Sequence, residues 1–180
     1  MSVRRRILPT GSGTLAVALM VAAGLAAVPA SPARAAPAIP FLTGFELFNV
    51  HSGKCLTIAD GDHVVQSTCR ERRSHLWRMR LATLTGLFQV QNVASGRCLA
   101  AGGNGRAVQH RCDDAMSRRW RLWDAEGTGF FIRSAPSGRC LTVADGSRGE
   151  NAAAVLATCG PARSRRWDAQ LPGSTEREGL

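Results

Sequence analysis

The sequence predicts an all-β domain made of three copies of one cassette. A Ser-Gly-basic-Cys-Leu unit occurs at Ser52 to Leu56, Ser95 to Leu99 and Ser137 to Leu141, with its cysteines 43 and then 42 residues apart. Each unit is followed by a second cysteine (Cys69, Cys112, Cys159) and then by Ser-x-x-Trp, ending at Trp77, Trp120 and Trp167. A motif set copied in this order at a fixed period is an internal repeat, and a unit this short cannot bury its own apolar face, so the copies must close on one another.

Four short strands are expected in each cassette. Phe45 to Val50 and Phe88 to Val93 place apolar residues at alternate positions, with Phe45, Leu47 and Asn49 facing one way and Glu46, Phe48 and Val50 the other. Ser-Gly marks the turn that follows. Cys55 to Ile58 and Cys140 to Val143 read as a second strand, ended by Ala-Asp-Gly at Ala59 to Gly61 and Ala144 to Gly146. Val64-Val65 and Val108-Gln109 begin a third. Trp77 to Leu81 and Trp120 to Leu122 form a fourth, with Trp, Met and Leu on one face. About twelve strands result, with no room for a long helix.

The flanks read differently. Arg4, Arg5 and Arg6 precede an apolar run from Thr14 to Val28, and Ala33-Arg34-Ala35 supplies small residues at a cleavage site, so residues 1–35 read as an export signal. An uncleaved anchor is the rival, but a bilayer crossing needs about 20 apolar residues. The arginines also leave twin-arginine export open. Residues 36–43 are read as a linker, residues 44–170 as the domain (repeats about 44–86, 87–128 and 129–170) and residues 171–180 as a polar tail.

The full chain carries 23 Lys and Arg against 13 Asp and Glu, for a net charge of +10. Four of those cations lie in the leader, leaving 19 against 13, or +6. Only Lys54 is a lysine, a usage that reads as compositional bias and gives arginine's fork no special weight. All six cysteines fall after the leader, so an oxidising destination makes disulfides the expectation. Six cysteines allow 15 connectivities, and repeat symmetry singles out Cys55 with Cys69, Cys98 with Cys112 and Cys140 with Cys159. Each bridge closes a loop worth about 3 kcal/mol in the chain-entropy model. Zinc fits poorly, since no Cys-x-x-Cys knuckle occurs and the four histidines do not cluster.

These cassettes resemble the ricin B-chain-type lectin repeat, over about Phe45 to Gln170. The resemblance implies a β-trefoil, with three repeats around a pseudo-threefold axis and Trp77, Trp120 and Trp167 packed in a shared core. It also implies three sugar sites, one in each repeat. In that family an Asp two residues after the first cysteine accepts bonds from sugar hydroxyls, an aromatic two residues before the second cysteine stacks on the ring, and an Asn precedes the Gln of Gln-x-Trp. Here the Asp position holds Thr57, Ala100 and Thr142, the aromatic position Ser67, His110 and Ala157, and the Asn-Gln pair Ser74-His75, Ser117-Arg118 and Ser164-Arg165. Every position of the pattern is altered. Gln109 with His110 is the best surviving imitation, and Gln66 matches Gln109. The candidate ligand-binding residues are therefore Gln66, His75, Gln109, His110, Arg118, Thr142, Ser164 and Arg165. Repeat three, with 18 residues between its cysteines against 13 in the others, keeps a loop that the others have trimmed.

Arginine replaces the lost pattern. Arg118-Arg119 and Arg165-Arg166 stand directly before their tryptophans and Arg72-Arg73 just ahead of Ser74, which predicts three equivalent surface points. Two readings follow: a grip on an anionic glycan through guanidinium forks, or arginine stems packed over Trp and paired with Asp113, Asp114 or Asp168. Enzyme readings fare badly. No Gly-x-Ser-x-Gly elbow or phosphate loop occurs, and Asp60, Asp145, Asp113 and Asp114 lie in ordinary turn sequences. The expectation is a secreted, non-catalytic carbohydrate-binding module with degenerate or retuned sites. The expected partner is a glycan or polysaccharide, neutral or anionic, with no cofactor, no metal, no specific nucleic acid, no membrane after cleavage and a monomer sufficing. A trefoil scaffold for protein partners and a polyanion binder remain as alternatives.

Overall fold

A computed structural model describes residues 44–124 and 128–172. The expectations for residues 1–43 and 173–180, the leader, linker and most of the tail, lie outside the described residues. Twelve strands run in order: β1 Phe45–Asn49, β2 Cys55–Ile58, β3 Val64–Ser67, β4 Leu76–Leu81, β5 Phe88–Asn92, β6 Cys98–Ala101, β7 Ala107–His110, β8 Trp120–Asp124, β9 Phe130–Ser134, β10 Cys140–Val143, β11 Ala154–Ala157 and β12 Trp167–Gln170. Short 3-10 turns at Arg73–His75, Met116–Arg118 and Arg163–Arg165 precede β4, β8 and β12.

Strand pairing closes a ring. β1 pairs with β12 and β4, β4 with β5, β5 with β8, β8 with β9, and β9 with β12. A closed antiparallel ring leaves no free edge. The remaining strands form three hairpins, β2–β3, β6–β7 and β10–β11. These hairpins are joined in a cycle: Gln66 N–H donates to Ala152 O (2.9 Å), Gln109 N–H to Asp62 O (2.8 Å) and Leu156 N–H to Gly105 O (2.7 Å). Repeat one thus leans on repeat three, repeat two on repeat one, and repeat three on repeat two. This is the β-trefoil.

The core carries the same threefold pattern. Trp77, Trp120 and Trp167 are fully buried, and each indole N–H donates at 2.9 Å to the carbonyl of the leucine after the first cysteine, Leu56, Leu99 and Leu141 respectively. A buried Trp needs such a partner for its one polar atom, which is why the Cys-Leu strand and the Trp recur together. The bridges Cys55–Cys69, Cys98–Cys112 and Cys140–Cys159 all form, with Cα atoms 4.9, 5.0 and 5.1 Å apart.

Two strands add detail to the expected alternation. In β1 both faces are enclosed, all five of its residues being buried. Phe45 and Leu47 enter the core, while Asn49 turns its amide to Ser164 O (2.7 Å) and its carbonyl oxygen to His51 and Ser52 N–H. Asn92 repeats this with Ser74 O at 2.8 Å. On β4, Met79 packs against the core as expected but Leu81 is 61% exposed, since the strand ends beyond the buried layer.

Candidate functional site

A pocket of about 230 Å³ lies in repeat one between the β2–β3 hairpin and the Arg73–His75 turn. Thr57, Ser67, Ser74 and His75, the positions that the family pattern marks, all line it. The turn holds the imidazole edge-on: Nδ1 lies 2.8 Å from Arg70 O and 3.0 Å from Arg70 N, and Nε2 lies 3.0 Å from Ser67 Oγ. His75 is therefore buried and fixed, and it sets the direction of the Ser67 hydroxyl at the pocket wall. Arg70 and Arg72 stand exposed at the edge. Among the described residues neither has a carboxylate within ion-pair distance.

The opposite wall comes from repeat three. Glu150 and Asn151, in the long β10–β11 loop, border the same pocket. The Glu150 carboxylate takes Lys54 Nζ, Thr68 Oγ1 (2.6 Å) and Thr68 N–H (3.0 Å). The Lys54 hydrogen bond, followed by those from Thr68, holds its pKa down to about 2. Deeper in, Gln66 binds the base of that loop, its amide N–H groups donating to Ser147 O (2.8 Å) and Gly149 O (3.0 Å) while its Oε1 accepts from Ser52 Oγ (2.7 Å). The extra residues of repeat three are thus a wall for repeat one.

Repeats two and three differ at the equivalent place. Arg118, the counterpart of His75, donates to Ser117 Oγ at 2.8 Å and lies 3.3 Å from Asp113, with only 16% of its side chain exposed. Arg119 is buried and bound to Asp114 at 2.7 Å. In repeat three Thr142 Oγ1 donates to Ser164 O at 2.8 Å, and a Cβ on Gly146 would lie 3.8 Å from the Ser164 side chain, so the loop packs onto that residue. Arg165 is half-buried beside it.

Several candidate residues therefore change role. Gln66 and Gln109 are buried clamps between repeats, the second accepting from Ser95 Oγ at 2.6 Å and donating to Gly61 O at 3.3 Å. A polar side chain three residues before a cysteine looked like a ligand contact, but the hairpin cycle encloses it. Thr142 is also buried, and like Thr57, which donates to Ser74 O at 3.1 Å, it turns its hydroxyl inward. His110 stays half-buried on β7 opposite Cys98. The three arginine pairs are not equivalent points: Arg72 and Arg73 are exposed and lie five and four residues before Trp77, whereas Arg119 directly precedes Trp120 and is buried. In repeat two the arginines pack and pair with Asp113 and Asp114, the second of the two readings. Glu150 was missed by sequence reasoning. The longer cysteine spacing in repeat three was its only signal.

The chain is thus a threefold β-trefoil with a pocket at the base of its first hairpin. Residues 43–167 match the ricin-type beta-trefoil lectin domain, and the chain belongs to that family. Among solved structures it is similar to the designed threefold protein ThreeFoil (TM-score 0.65, 20% identity, 70% of this chain and 96% of that one). It is also similar to the Rhizoctonia solani agglutinin (TM-score 0.63, 18% identity, 71% and 94%). A third is the Macrolepiota procera ricin B-like lectin in complex with lactose (TM-score 0.63, 16% identity, 71% and 94%). No curated protein matches the chain.

Proposed function

We propose that this chain is an exported, non-catalytic carbohydrate-binding module whose working site is the repeat-one pocket, retuned toward glycans that bear an acidic group. The observation that carries this reading is that pocket: the family's site positions survive there as an opening lined by hydroxyls, an imidazole and an anchored carboxylate, with Arg70 and Arg72 at the edge and no carboxylate within ion-pair distance of either among the described residues. The lactose complex of the similar Macrolepiota procera lectin supports the ligand class. With Ser67 in place of an aromatic, the site offers no stacking platform, so recognition rests on hydrogen bonds and charge. Glu150 is the single carboxylate among the lining residues, and glycoside hydrolysis by the usual route needs two. Residues 1–35 act as the export signal, and three disulfides suit an oxidising destination.

Titration of the 15N-labelled protein with galacturonic acid and with galactose tests this. The acid should shift the Ser67, Thr68 and Ser74 amides in a saturable way and bind more tightly than galactose. Arg72→Gln should reduce that preference several-fold while leaving the fold intact. Absence of any shift at these amides across a panel of neutral and acidic sugars would sink the reading.

A further inference from the structure

The outer face of the β8–β9 hairpin carries a group of residues that neither the core nor the pocket uses. Across these strands Trp123 pairs with Phe131 and Arg121 with Arg133. Leu122 and Ile132, which alternate with them, face the core. Trp123 is 52% exposed, although the other three tryptophans are 0% exposed. The other repeats have nothing comparable. The places of Trp123 and Phe131 are taken by Arg80 with Gln89 and by Gln170 with Glu46, and the Arg121–Arg133 pair by Arg78 with Gln91 and by Asp168 with Phe48.

Two features point to a ligand. Like charges directly opposite each other across an antiparallel pair destabilise the sheet, yet Arg121 and Arg133 hold that relation with no carboxylate within ion-pair distance among the described residues. Arg133 is also fixed in place: Nε–H donates to Gly138 O at 2.8 Å, and the guanidinium carbon lies 5.0 Å from the centre of the Trp123 ring. Its terminal amino groups remain available for a forked contact. A fixed guanidinium beside a half-exposed indole, with a second arginine opposite it in the strand register, matches a ligand with an apolar ring face and an anionic group held close to that ring.

We propose that this face is a second binding site, separate from the repeat-one pocket, for an acidic polysaccharide whose pyranose rings carry carboxylates. A uronate bears its charge on the ring itself, so a ring seated against the indole brings its carboxylate to the guanidinium groups. Single-stranded nucleic acid fits less well, since it needs a row of stacking aromatics along a basic track and this face offers one exposed indole. The site does not depend on the pocket reading, because it uses barrel strands and the pocket uses a hairpin.

The test follows Trp123 directly, since the other three indoles are buried and inaccessible to a neutral quencher. Acrylamide quenching of the full-length exported protein is measured with added α-1,4-trigalacturonate, a neutral galactose trimer of the same linkage, and an oligothymidylate. Trigalacturonate should shield Trp123 in a saturable, salt-sensitive manner and the neutral trimer should not. Arg121→Gln, a substitution at an exposed residue, should weaken the shielding at least tenfold, while Arg72→Gln at the pocket should leave it unchanged. Emission from the three buried tryptophans verifies that each variant is folded. The proposal is overturned if trigalacturonate gives no shielding, if the neutral trimer shields equally, or if Arg121→Gln has no effect. It is overturned as well if the oligothymidylate shields at lower concentration, or if shielding appears with protein concentration alone and marks self-association.

Discussion

Repeats one and two have the same cysteine spacing, the same strand order and the same indole-to-leucine bond, yet they treat the same site position in opposite ways. In repeat one His75 is tied to backbone and to Ser67, and a pocket remains in front of it. In repeat two Arg118 fills the equivalent place and is paired with Asp113. The difference teaches that closure of the trefoil constrains the Trp, Leu and Cys positions and leaves the residue two before the Trp free to change. The largest effects should therefore come from the constrained set. Trp77→Ala, Trp120→Ala and Trp167→Ala should each cost about 3–5 kcal/mol, with similar values in all three repeats. Denaturant unfolding measures this, and a cost confined to one repeat would break the threefold account of the core.

The clamps between repeats come next. Gln66→Leu removes the donor to Ser147 O and Gly149 O and the acceptor of Ser52 Oγ, leaving polar groups unpaired at a cost of about 1–3 kcal/mol. Repeat three already has Leu156 in this position and keeps only the backbone bond to Gly105 O. Leu156→Ala should therefore show a packing loss alone. Because Gln66 also holds the loop that carries Glu150, its substitution should reduce sugar binding in repeat one, and Gln109→Leu should not. Equal effects of the two on binding would show that the loop wall does not matter.

Repeats one and three differ in a way that offers a gain. Asn49 and Asn92 each stitch two repeats together, but repeat three has Ser134, whose buried Oγ has no hydrogen-bond partner among the described residues. The turn after it explains part of this. Asn49 accepts from the N–H groups two and three residues on, and two residues after Ser134 stands Pro136, which has none. Ser134→Asn should recover the donated bond and one accepted bond, raising stability by up to about 1 kcal/mol. A loss of stability would show that the site cannot accommodate the larger side chain.

The parts of this structure that were legible in the sequence are those that repeat. Cys, Leu and Trp recur at fixed offsets because the same bridge and the same indole bond form three times, and a period can be seen without knowing the fold. The pocket was not legible for a matching reason: its two walls belong to repeats one and three, and spacing along the chain does not say which neighbour a hairpin leans on. The burial of Gln66 and Gln109 was hidden on the same account, since enclosure by another repeat leaves no mark within their own cassette. The arginines misled in another way, as adjacency to a Trp does not distinguish Arg119, packed and paired, from Arg72, exposed at an edge.

The smallest predicted effect concerns the contact between those two walls. Glu150 has its pKa lowered from an ordinary 4.5 to about 2 by Lys54 and Thr68, so its ionised form is favoured in the folded state. A carboxylate with a depressed folded pKa contributes stability that is fully present above the unfolded value and fades as pH falls from about 4.5 to about 2. The group is half exposed and its pair with Lys54 is screened by solvent, so the contribution is small. Wild type should exceed Glu150→Gln in stability at pH 7, and the gap should close as pH is lowered through that window. Added salt at pH 7 should narrow it too. A gap that persists unchanged at pH 2 would mean that the carboxylate's charge plays no part, and that the loop is held over the pocket by Gln66 and the backbone bonds alone.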